Sequence, residues 1–138
     1  MPAPLPPTVF HFDQVSWDDP TSALDPAQGA PRELVERARA SGARRKKIVR
    51  GECGFFMNRS VMPASFRVPA HHHDHDELIV VLSGGCRFDD GLAELGPGDS
   101  IVIRADTHYG FTCGDEGMDF LTIRTGEARV AIRPDPPR

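Results

Sequence analysis

HHHDHDELIVVLSGG, residues 71–85, is the stretch on which the reading of this chain turns. Successive side chains of a strand point to opposite faces, so His71 and His73 aim two imidazoles to one side. Glu77 follows four residues after His73. A bend at Asp74-His75-Asp76 carries the chain into ELIVVL as the partner strand and turns Glu77 back toward the same point. LSGG at 82–85 reads as a hairpin turn, because glycine accepts the positive φ that tight turns need. A fourth ligand must come from a distant segment, and HYGF supplies it: His108 opens a strand after the turn-like RADT at 104–107, and no other histidine lies C-terminal to residue 75. Neutral imidazoles and one carboxylate suit a single divalent transition metal, Fe, Mn, Co, Ni, Cu or Zn. Four protein ligands leave a position for water or substrate, as catalytic sites do. Glu77 is also a candidate acid or base.

Outward from this stretch the pattern is strands. KIVR, GFFMNRSV, ASFRV, ELIVVLSG, CRFDDG, LAELG, DSIVI, HYGFTC, DFLTIRT and ARVAI follow one another with turn signals between them and no helix. Gly and Pro, 13 each, punctuate the chain at short intervals. That pattern predicts an all-β antiparallel barrel or jelly roll. DDG at 89–91 is a second turn. Before residue 48 the chain differs. VFHF at 9–12 reads as a short edge strand, and Trp17 as a pin holding this arm to the body. PRELVERARASG, with Pro31 at its start and Gly42 at its end, predicts one short helix over 31–41. The basic run Arg44-Arg45-Lys46-Lys47 fits a solvated helix end and strand entry. The expected organisation is an arm and helix over 1–47, a barrel over 48–133 and a tail over 134–138.

Two segments resemble the cupin superfamily. Its first motif runs Gly, five residues, His-x-His, three or four residues, Glu, six residues, Gly. His71, His73, Glu77 and Gly84 keep that spacing, with Ser65 where the opening Gly belongs. Its second motif runs Gly, five residues, Pro-x-Gly, two residues, His. Gly98 and DSIVI fit its start, Arg104-Ala105-Asp106 replaces Pro-x-Gly, and His108 comes one residue early. The resemblance implies a double-stranded β-helix, the cupin jelly-roll barrel, in a small single-domain metal-binding member that is usually dimeric. It places His75 near the site without ligating, and His72 has the wrong strand parity, so both stay outside the ligand set. Tyr109 has the parity opposite to His108 and is expected outside the cavity, with Phe111 in packing or a dimer contact.

The remaining residues bound the function. The 138-residue chain carries 39% hydrophobic and 26% charged residues and a net charge of −4. That is ordinary for a soluble domain and a poor match to nucleic acid. No stretch approaches the ~20 apolar residues of a membrane helix, and MPAPLPPTVF lacks the features of a secretory signal, so a cytoplasmic protein is expected. Cys53, Cys86 and Cys113 read as buried reduced thiols. Arg59 and Arg67 are candidate clamps for a substrate carboxylate or phosphate, with Met57 beside Arg59 on its strand face, and Asp74 and Asp76 are candidate partners of the ligand imidazoles. The expected function is a metal-dependent small-molecule enzyme, a dioxygenase, isomerase or lyase on a small carbonyl, carboxylate or sugar-acid substrate. The alternative is a non-catalytic metal- or ligand-binding sensor.

Overall fold

The computed structural model describes residues 6–18, 36–37, 40–126 and 130–132, the last three for their backbone only. Its strands are β1 (Arg44–Arg50), β2 (Phe56–Met62), β3 (Arg67–His73), β4 (Glu77–Phe88), β5 (Glu94–Leu95), β6 (Ser100–Ile103), β7 (Tyr109–Arg124) and β8 (Val130–Ile132). All pairings among them are antiparallel. The sheet runs β1-β2-β7-β3-β8, with β4 pairing β5, β6 and β7. The all-β jelly roll expected from the strand pattern is what forms. The expected helix over 31–41 falls mostly outside the described residues. The sheet takes in Arg44–Lys47, ahead of the boundary expected at residue 48.

Two long strands replace four short ones. ELIVVLSG and CRFDDG merge into β4, and HYGFTC and DFLTIRT merge into β7. LSGG is therefore no hairpin turn but an irregularity inside β4, where its register on β7 shifts on either side of Ser83-Gly84. Its effect is a change of parity. The buried residues of β4 are Glu77, Ile79 and Val81 before it, then Cys86 and Phe88 after it. β7 makes the same change, from Tyr109, Phe111 and Cys113 to Met118, Phe120 and Thr122. Leu82 is one residue extra on β4, and between Cys113 and Met118 β7 carries three residues more than β4 does between Gly84 and Cys86. These irregularities keep the apolar side chains on the inner face while the strands bend around the core. Gly84 (φ +70) and Gly117 (φ +74) permit this: a Cβ on Gly84 would strike the Gly117 carbonyl, and one on Gly117 the Met62 carbonyl. The core built this way joins Phe66, Ile79, Val81, Phe88, Phe111 and Phe120.

VFHF does not form a strand; its Phe12 begins a single 3-10 turn. The arm is held by the basic run instead. The Lys46 ammonium donates to the Phe12 carbonyl at 2.9 Å and lies 3.7 Å from the centre of the Phe12 ring. Arg44 stacks on Trp17, and Arg45 pairs with Asp18. Lys46 is buried by these rings. Of the helix end and strand entry expected for RRKK, the strand forms: the run lies in β1, where the π faces of the arm attract Arg44 and Lys46. Trp17 pins the arm as expected.

Gly84→Ala is expected to lower stability by about 2–4 kcal/mol, since it combines a backbone clash with a left-handed conformation that L side chains disfavour. Chemical denaturation of the variant beside the parent measures this.

Candidate functional site

Strand pairing decides which residues meet. In β3, His71 stands opposite Tyr109 of β7, and directly opposed residues of an antiparallel pair share a face. His71, His73, Glu77 and Tyr109 are all buried on the inner side. His72 and His108 take the other face, where His72 Nδ1 and His108 Nε2 lie 3.1 Å apart in an exposed setting. Two expectations therefore change places. Tyr109 is inside the fold and His108 is outside it. The RADT turn sets the phase: the Asp106 amide donates to the His73 carbonyl (2.7 Å) and the Ala105 amide to Asp76 Oδ1 (2.9 Å). β7 consequently begins at Tyr109 rather than His108. The second motif, counted from Gly98, puts its histidine at position 109, and this chain has tyrosine there.

The inner residues form one hydrogen-bonded cluster. The Tyr109 hydroxyl donates to Glu77 Oε1 at 2.7 Å, and Arg124 Nε donates to Glu77 Oε2 at 2.9 Å. His73 Nε2 lies 3.1 Å from both Glu77 Oε2 and the Tyr109 oxygen. The tyrosine proton points at Glu77, so His73 Nε2 carries the hydrogen it shares with these acceptors. His71 donates from Nδ1 to the Pro69 carbonyl at 2.8 Å, which leaves Nε2 as the acceptor of its neutral ring. Its ring lies 4.3 Å from that of Tyr109.

Burial works against a charged Glu77. Arg124 and His73, with the bonds from Arg124 and Tyr109, outweigh it and hold the carboxyl below its ordinary range. Burial, reinforced by the Glu77 charge, pushes the Tyr109 hydroxyl far up, so it stays protonated. Burial lowers His71, only partly offset by its bond to Pro69, so that ring stays neutral.

Whether this donor set fits a divalent metal is a question of its geometry. Both Glu77 oxygens already accept hydrogen bonds, and Arg124 places a fixed cation against the carboxylate. The fourth expected ligand, His108, faces away. Among the described residues no three His, Cys, Asp or Glu side chains are placed to hold a metal ion, and no buried side-chain nitrogen or oxygen lacks a hydrogen-bond partner. The residues as arranged do not fit the four-ligand site of His71, His73, Glu77 and His108.

The other candidates are engaged elsewhere. Arg59 makes a two-pronged pair with Asp119 (2.9 and 2.6 Å) and stacks on Phe12. Arg67 grips Asp89 the same way (2.5 and 2.8 Å) on the surface. Met57 of β2 lies opposite Ile123 of β7, one position from Arg124 but on the other face of the strand. Asp76 serves the RADT turn and not an imidazole. Cys86 and Cys113 are buried thiols, which burial pushes up to about 11 and about 12, whereas Cys53 is exposed in a turn. Arg124 is the member of the buried cluster that sequence reasoning missed. Its link to Glu77 comes from the β4–β7 register, 47 residues apart, for which the sequence carries no local signal.

Residues 58–124 match the family model described as Cupin domain. The chain carries a cupin domain. Among solved structures, this cupin is similar to KdgF from a Halomonas species, at 17% identity over 85% of this chain and 93% of that one, with a TM-score of 0.61. An RmlC-like cupin from Shewanella frigidimarina follows at 16% identity over 86% and 90%, with a TM-score of 0.60. The polyketide cyclase RemF from Streptomyces resistomycificus has 25% identity over 65% of this chain and 70% of its own, with a TM-score of 0.55. No curated protein sequence matches the chain. Among the described residues no helix is long and apolar enough to cross a membrane.

Tyr109→Phe leaves a buried carboxylate oxygen without its donor and is expected to cost about 1–3 kcal/mol, whereas His108→Ala at the surface is expected to change stability by no more than about 0.5 kcal/mol. Denaturant unfolding of the two variants tests this inversion of the expected roles. Acid is expected to destabilise the protein from about pH 6.5 downward, where an unfolded histidine takes up a proton that buried His71 refuses. Glu77 adds a loss of the same sign below about pH 4.3, because its folded carboxyl holds its proton less tightly than the unfolded one. Thermal midpoints across pH are expected to show both, with the first slope reduced in His71→Gln.

Proposed function

We propose that this cupin is a small-molecule enzyme working by proton transfer, an isomerase or lyase, on a small carbonyl compound that also bears a carboxylate. The observation that carries the reading is the Tyr109–Glu77 hydrogen bond beside His71, which sets a protonated phenol next to a neutral imidazole within one buried cluster. His71 Nε2 takes a proton from carbon next to the carbonyl. The Tyr109 hydroxyl turns its one proton from Glu77 Oε1 to the oxygen on which negative charge develops and gives it up. In an isomerase His71 then returns its proton to the neighbouring carbon, and Tyr109 recovers one from the second oxygen as the new carbonyl forms. Glu77 and His73 hold that phenol in place. Arg124 spends Nε on Glu77, and its terminal nitrogens suit a substrate carboxylate; its side chain is the most exposed of the Glu77 partners, at 14%. The likeness to a structure named as a polyketide cyclase supports non-structural work for the fold. The reading includes a small-molecule partner, a homodimer and a cytoplasmic setting.

A metal-dependent enzyme is the second reading, favoured by His71, His73 and Glu77 sharing one inner face as the first cupin motif implies. Proton exchange at carbon separates the two. Small 2-oxo acids and uronate sugars incubated with the protein in D₂O are expected to exchange hydrogen in the proton NMR spectrum, at a rate that EDTA leaves unchanged. His71→Ala and Tyr109→Phe are expected to slow exchange by about 10²-fold or more. One equivalent of metal in protein purified without added metal, lost in both His71→Ala and His73→Ala, points instead to the second reading. Exchange absent for every compound, with no metal retained, leaves a binding cupin.

A further inference from the structure

On the outer face, His72 and His108 oppose each other across β3 and the start of β7, one position beyond the His71–Tyr109 pair. Their nitrogens, Nδ1 of His72 and Nε2 of His108, lie 3.1 Å apart, and their ring centres 4.5 Å apart at an interplanar angle of 59°. The geometry points to a two-histidine chelate for a divalent transition metal, separate from the inner cluster. Placing a metal about 2.1 Å from each nitrogen gives a nitrogen–metal–nitrogen angle of about 95°. That suits neighbouring positions of a square-planar or octahedral ion, Ni(II) or Cu(II), better than the wider angle of tetrahedral zinc.

The backbone supports this placement. His72 pairs with Ala131 of β8 on its other side. The RADT turn before His108 is pinned to His73 and Asp76. Both histidines are therefore held before a metal arrives, which lowers the ordering cost of binding. Water already reaches the pair, so the remaining coordination positions are open to solvent or to a small chelating ligand. No side chain of the inner cluster faces this side.

Calorimetric titration of the full chain with Ni(II), and separately with Zn(II), tests the proposal. One equivalent of Ni(II) is expected to bind, more tightly than Zn(II). His72→Ala and His108→Ala are each expected to weaken the Ni(II) site by about tenfold or more, while His71→Ala leaves it unchanged. As both outer variants replace exposed or half-exposed residues, their circular dichroism and melting are expected to match the parent. The proposal is overturned if Ni(II) binding survives either outer substitution, if His71→Ala removes the same equivalent, or if no Ni(II) binds. The last two results leave the proton-transfer reading to its own exchange experiment.

Discussion

The structure depends on keeping Glu77 ionised inside a β-fold. A buried carboxylate is costly unless a cation and donors meet it. Here Arg124 meets one oxygen and the Tyr109 hydroxyl the other, with His73 alongside. These partners come from three places in the chain, and only the pairing of β4 with β7 and of β3 with β7 assembles them. The carboxylate thus ties together the strands that carry the site, and chemistry and fold are held by the same bonds. Removing any one donor exposes the others to an unbalanced charge.

β7 is the organising strand. It runs sixteen residues, borders β2 and β3 along one edge and β4 along the other, and carries both Tyr109 and Arg124. A strand of that length cannot keep one face inward around a curved core without a change of phase. The glycines at 84 and 117 supply the change on β4 and β7 together, at a point where the two backbones approach too closely for any side chain. Ser65 and Asp106 show a related compromise. Each stands where the cupin motifs have glycine, and each takes the left-handed conformation glycine would adopt (φ 58 and 62). The turns survive, though their residues are changed.

The surface features follow from the same economy of partners. Arg59, Arg67 and the RRKK run look available in the sequence because a free guanidinium or ammonium is a natural ligand for anions. In the fold Asp119, Asp89, Asp18 and the Phe12 and Trp17 rings already claim several of them. Such pairing is set by long-range contact, 60 residues apart for Arg59 and Asp119.

The sequence by itself determined the all-β class, the two-residue spacing that turns His71 and His73 inward, and Glu77 as their companion. These are local properties: strand alternation and turn residues act within a few positions. It also contained the clue to Tyr109, since the second motif counted strictly from Gly98 ends at 109. What it did not contain was the phase of β7. A shift of one residue exchanges the two faces of a strand, so the inward place goes to Tyr109 or His108 according to how the RADT turn is fastened to His73 and Asp76. Arg124 was hidden for the same reason, because its neighbour Glu77 is fixed by register across two bulged strands. Only the tertiary structure decided which residue joins His71, His73 and Glu77 on the inner face, since that choice rests on pairing between distant segments and not on the residues flanking it.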